Sequence, residues 1–149
     1  MNIENWKFIG ITPPAAIIDN ASATTAEIDT KGFDKLRIFA YLGAMDIAMT
    51  ALKVGEGDTS GSMTDITASV FGTATDIEGA TSALPSATDD NKAFCWEIDL
   101  KGRKRYLDVV ATCGDGAAGT FIALFAFGLQ NNACPVTKAG HGVGGMLQF

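Results

Sequence analysis

A single histidine, His141, is all that the chain offers as a side chain titrating near neutrality, and it sits in the glycine-rich stretch Gly140–Gly145. No predicted element holds it in place, so a catalytic triad or a metal site built on it is not expected. Cysteine is scarce and odd in number. Cys95, Cys113 and Cys134 match neither a zinc spacing nor a disulfide framework. Reduced thiols fit synthesis in a cytoplasm, with one bridge between two of them left open. Long apolar runs are missing as well. The longest, Phe121–Leu129, is about half of what a helix needs to span a bilayer. Met1–Lys7 has no basic region followed by an apolar run, so no secretory signal is expected. Basic residues are outnumbered 11 to 17, for a net charge of −6. A phosphate backbone calls for the opposite sign, so nucleic acid is not expected as a partner, and with apolar runs this short neither is a membrane.

What is present is β-forming. With 47% hydrophobic and 19% charged residues, the 149-residue chain should fold as one domain. Its 17 glycines and frequent small residues suggest many turns. The clearest signal is Ala93–Leu100. There Phe94, Trp96 and Ile98 alternate with Cys95, Glu97 and Asp99, and Leu100 continues the apolar face. Period-two alternation marks a half-buried strand. A second arm, Arg105–Cys113, places Leu107, Val109, Ala111 and Cys113 on one face, with Tyr106, Asp108, Val110 and Thr112 on the other. The polar turn Lys101-Gly102-Arg103-Lys104 between them predicts a hairpin.

The remaining strands follow in order. Trp6–Ile11 puts Trp6 and Phe8 on one side and stops at Pro13-Pro14, which lack backbone donors. Ala23–Asp29 reads as an edge strand. Lys35–Leu42 carries Leu36, Ile38, Ala40 and Leu42 on one face and Lys35, Arg37, Phe39 and Tyr41 on the other. Gly43–Asp46 is expected to turn the chain. Ile47–Val54 is then a strand closed by Gly55–Asp58, and Met63–Thr67 a weaker one. Residues 68–92 form a long Ser/Thr/Ala-rich loop, and Gly114–Gly119 a flexible one. Thr120–Leu129, apolar on both faces, is expected to be buried on both. Together these predict an all-β sandwich of jelly-roll or Greek-key type over residues 1–129, with a glycine-rich C-terminal extension, 130–149. The apolar tip of that extension, with Met146, Leu147 and Phe149, suits docking on a neighbour.

Chemical motifs are few. Glu97 and Asp99 share a strand face but read as solvated partners of Lys101 and Arg103 rather than a glycosidase pair. Asp58 and Asp65 flank a loop without the EF-hand pattern. Gly114-Asp115-Gly116 enters a strand, so it lacks the helix N-terminus of a phosphate loop. No cofactor and no reaction are expected. The one basic cluster, Lys101, Arg103, Lys104 and Arg105, could meet an acidic surface.

Three blocks carry a resemblance: Gly32–Leu36 with Tyr41–Ala48, Thr81–Asn91, and Ile98–Thr112. Together they resemble small proteins encoded among the head genes of tailed bacteriophages, many from aquatic hosts, and the likeness covers most of residues 1–129. Such proteins are similar to capsid decoration, or cement, proteins. The resemblance implies a β-sandwich subunit, typically a homotrimer, bound to the major capsid protein on the outside of the head after synthesis in the bacterial host cytoplasm. Contacts to the shell or between subunits would then fall on the basic tip, on Phe39 and Tyr41, and on the C-terminal tip. A neck, tail or fibre-base subunit is the structural alternative. A virion-displayed carbohydrate-binding sandwich is the other, with Tyr41, Phe39 and Tyr106 as its candidate platform and Trp6 and Trp96 as core.

Overall fold

A computed structural model describes residues 5–130, 137 and 139–147. Its strands are β1 (Trp6–Thr12), β2 (Ile28–Asp29), β3 (Lys35–Met45), β4 (Ala51–Thr59), β5 (Ser62–Asp65), β6 (Ala93–Asp99), β7 (Tyr106–Thr112) and β8 (Thr120–Leu129). A 3-10 turn, Thr67–Ser69, follows β5. The strands form two four-stranded antiparallel sheets, ordered β1-β8-β3-β6 and β2-β7-β4-β5. The expected all-β sandwich is the observed fold.

Period-two alternation builds the core. Leu36, Ile38, Ala40 and Leu42 of β3 and Ile122, Leu124 and Ala126 of β8 line the first sheet's inner face. Leu52 and Val54 of β4 and Leu107, Val109 and Ala111 of β7 face them from the second. Every one of these side chains is essentially removed from water, and burial of this kind is the main favourable term in folding. At one side of the sandwich Phe71, from the loop after β5, closes on the core. It stacks edge-on to Phe94 and Trp96, whose indole N–H donates to the Ser69 carbonyl at 2.8 Å.

The expected hairpin Ala93–Cys113 is absent. Its arms alternate as read, but β6 pairs with β3 in one sheet and β7 pairs with β4 and β2 in the other. Residues 100–105 cross between the sheets, turning at Gly102 with φ +78°. In a hairpin the two apolar faces would lie side by side. Here they meet across the core, and alternation cannot tell these cases apart. Among consecutive strands only β4 and β5 pair with each other.

Other boundaries move for local reasons. β3 runs on through Gly43–Met45, irregular between Leu42 and Met45, where a turn is expected. β4 starts at Ala51 rather than Ile47 and passes through Gly55-Glu56-Gly57-Asp58 instead of stopping there. Gly57 is in the strand because β5 lies so close that a side chain there would run into the Ser62 carbonyl. The edge strand expected over Ala23–Asp29 shrinks to Ile28–Asp29 plus an isolated bridge between Ser22 and Thr112. The expected flexible loop Gly114–Gly119 is pinned. Asp46 accepts the Ala118 N–H, which lowers its pKa, and Asp19 accepts that of Gly116. Cys113 is buried and free, Cys95 is free on the exposed side of β6, and Cys134 lies outside the described residues.

Candidate interaction surface

The outer face of the first sheet follows from its register. Phe8 of β1 sits opposite Phe127 of β8, and Phe127 opposite Arg37 of β3. In the next row Gly10 faces Phe125, and Phe125 faces Phe39. Ala123 and Tyr41 follow, then Phe121 at the end of the strand. Four rings interlock: Phe39 stacks on Phe125 at 5.4 Å and 20°, and Phe8 on Phe125 at 5.9 Å. Phe127 lies edge-on to Phe8, Phe39 and Phe125 at 5.8–6.2 Å. The rings remain half-exposed, with Phe121 and Tyr41 more open still, at 43% and 49%. β8 is therefore buried on one face only, and the expectation of burial on both fails for the isolated chain. Apolar side chains gathered on one outer face in this way make it the candidate contact surface.

Charge borders the rings on the β6 side. Arg37 and Glu97 form an ion pair, which raises the arginine's pKa, and Lys35 lies opposite Asp99 in the next row. Glu97 thus pairs with Arg37 across the strands rather than with Arg103. The Asp99 carboxylate accepts the Lys101 backbone N–H at 3.0 Å.

The basic tip belongs to another part of the molecule and is largely neutralised by its own chain. Arg105 holds Asp29 through two nitrogens at 2.7 and 2.9 Å, with its guanidinium 4.9 Å from the centre of the Tyr106 ring. That pairing pulls the Asp29 carboxyl down to about 2. Arg103 lies 3.3 Å from Glu56, and Lys104 lies 3.8 Å from Asp58. Lys101 makes no ion pair among the described residues. The positive run in the sequence is thus a mixed-charge surface in the fold, because Asp29, Glu56 and Asp58 arrive from β2 and β4. Asp65, the other carboxylate of the loop considered for a cation, is held by Lys53 at 2.6 Å. No group of three metal-ligating side chains occurs among the described residues.

Phe39 and Tyr41 do share a face, but Tyr106 lies on the second sheet, so the three are not one platform. Trp96 is core, as expected, but Trp6 is only half-buried, on the same side of β1 as Phe8, and is not part of the core. In the tail, His141 returns to the β1 edge of its own chain. Its carbonyl accepts the Phe8 N–H at 2.7 Å, and its Nδ1 lies 2.9 Å from the Trp6 carbonyl oxygen. Met146 and Leu147 are exposed, and Phe149 lies outside the described residues. Phe8, Phe125 and Phe127 are the surface residues that strand-by-strand reading misses. Each shows an apolar alternate face, but only the register gathers them into one patch.

The fold and this surface define a class: an all-β sandwich with one aromatic outer face. No protein-family model, curated protein or solved structure matches the chain.

Proposed function

We propose that the chain is a structural virion subunit, a decoration or cement protein of a tailed-phage head. It binds the outer surface of the shell and bridges neighbouring major capsid protein subunits, associating with itself as a homotrimer. The observation that carries the reading is the aromatic face of β1, β8 and β3. Its rings are ordered against one another but still wet, and a protein surface laid over them would withdraw them from water. Three copies on one particle would multiply weak contacts through their effective concentration.

Two further observations support it. The strand pairs β1·β8, β2·β7, β3·β6 and β4·β5 are those of one long ribbon rolled over on itself. We read that as jelly-roll winding, an architecture found among viral capsid and lectin domains. Such a fold hosts many functions, so the weight rests on the surface and on the resemblance of the three sequence blocks to phage head proteins. The net charge of −6 suits a particle exterior that must stay dispersed. The reading assigns no reaction, cofactor, nucleic acid or membrane.

The test is cryo-electron microscopy of virions carrying this chain. Density at regular lattice positions over the head, with the β1-β8-β3 face turned to the shell, is the expected result. Density at the neck or tail alone would make the chain a tail-side component, and none on the virion would overturn the proposal. The stacked pair Phe39–Phe125, with Tyr41 beside it, favours glycan binding as the second reading. Titration with neutral oligosaccharides checks it.

A further inference from the structure

The two long edges of the first sheet are treated differently. At the β1 edge, the tail satisfies the Phe8 N–H through His141. At the other edge, no described residue covers β6 in this way. Leu42 donates to the Lys92 carbonyl and Leu100 to that of Asp34, both at 3.0 Å. In the register that pairs Leu36 with Ile98 and Ile38 with Trp96, the even-numbered residues of β6 therefore bond to β3. Ala93, Cys95, Glu97 and Asp99 turn their N–H and C=O groups outward, and none has a hydrogen-bond partner among the described residues. An open run of this length is a template for another strand.

The space beside it is shaped for one. A cavity of about 600 Å³ runs along Cys95–Asp99, walled opposite by the loop of residues 66–82. On the core side Ile66, Phe71, Ile77, Trp96 and Ile98 make it apolar. Ile77 is fully exposed at its rim. A strand added at the usual spacing would hang alternate side chains over this apolar floor. Its other side chains would lie beside Cys95, Glu97 and Asp99 on the outer face. Charge sets what those should be. Lys35 and Arg37 already face Asp99 and Glu97 from β3, so these two rows place cations beside carboxylates, and a strand added on the far side of β6 should be basic at the same two positions.

We propose that the β6 edge is a peptide-docking groove. It takes an extended segment of a partner protein as a fifth strand, apolar at alternate positions and carrying Lys or Arg at two of the intervening ones. A second copy docked β6 to β6 antiparallel about Trp96 fits less well. It would set Glu97 beside Cys95 and Asp99 beside Ala93, leaving the carboxylates of both copies without a cation from the added strand. The inference is independent of what covers the aromatic face.

The test uses the full chain and two labelled peptides, Val-Lys-Val-Lys-Val-Thr-Val and Val-Glu-Val-Glu-Val-Thr-Val, with fluorescence anisotropy and residue-resolved amide exchange as readouts. The basic peptide should bind at least about tenfold more tightly than the acidic one. It should also slow exchange at the Cys95 and Glu97 amides, which exchange freely without it. Glu97→Lys should reverse the preference, and Ile77→Asp should weaken both peptides while leaving the melting temperature unchanged. Equal affinity for the two peptides, or protection elsewhere than β6, overturns the proposal. Protection of those amides without peptide overturns it too. If that protection rises with protein concentration the occupant is a second copy, and if it does not the chain covers its own edge.

Discussion

The sandwich has two outer faces built by the same alternation, and they are unalike. On the first sheet the outward positions hold Phe8, Phe39, Phe125, Phe127, Tyr41 and Phe121. On the second they hold Tyr106, Asp108, Val110 and Thr112 from β7, opposite Gly57, Gly55, Lys53 and Ala51 from β4. The polar members of that face are engaged within the chain. Asp108 accepts from Thr25, Thr112 bonds to Ser22, and Lys53 holds Asp65. Both sheets bury their inner faces equally well, so folding does not require aromatics outside. On the function proposed above, the excess on one face is surface kept for contact, and the second sheet serves as the internal control.

The largest effect should come from the shared core. Leu124→Ala is expected to cost about 3 kcal/mol in denaturant unfolding, whereas Phe125→Ser, the next residue on the opposite face, should cost about 1 kcal/mol. Equal losses would mean that the aromatic face is structural. Next, Phe39→Ser with Phe125→Ser should weaken binding to particles more than about thirtyfold. Val110→Ser, its counterpart on the second sheet, should leave particle binding unchanged in the same co-sedimentation assay. If both variants behave alike, the two faces do not differ in function.

Acid should then probe the ion pairs that finish the charged surface. Asp29, held by Arg105, and Asp89, held by Lys92 and Ser86, both have carboxyls drawn down to about 2 from an ordinary 3.8. As pH falls, the unfolded chain takes up these protons first. The stability they supply is complete above about pH 4 and is lost as pH falls through about 2. Melting temperature against pH should show this limb, and Asp29→Asn should flatten it. The smallest effect belongs to the tip. Arg103→Glu with Lys104→Glu should lower stability by less than about 1 kcal/mol and leave particle binding within twofold, because these cations already face Glu56 and Asp58. A large loss of binding would restore the tip as a docking element.

The strands were legible where a side chain's surroundings depend only on its neighbours. Lys35–Leu42 and Ala93–Asp99 alternate strictly, and each is a strand with the expected inner face, whereas Thr120–Leu129 is a strand whose two apolar faces gave no sign of which one the core would take. Ile47–Val54 misled because Gly55 and Gly57 resemble a turn until β5 is seen lying against them. The tip misled for a similar reason: its acidic partners lie 46 or more residues away in sequence, from Lys104 to Asp58 and from Arg105 to Asp29. Of the candidate contacts, Phe39 and Tyr41 were visible as an aromatic end of β3. Phe8, Phe125 and Phe127 were not, since β1 and β8 lie at opposite ends of the chain.

By itself, then, the sequence determined that this protein is all-β and, for strands that are apolar on one face and polar on the other, which side turns from water, because strand alternation is a local, period-two property of the backbone. Only the tertiary structure decided that β6 and β7 part into different sheets, that the rings of three strands share one wet face, and that the β6 edge has no strand partner among the described residues. Pairing is a choice among distant partners with similar apolar faces, and it is made by the core they fill together.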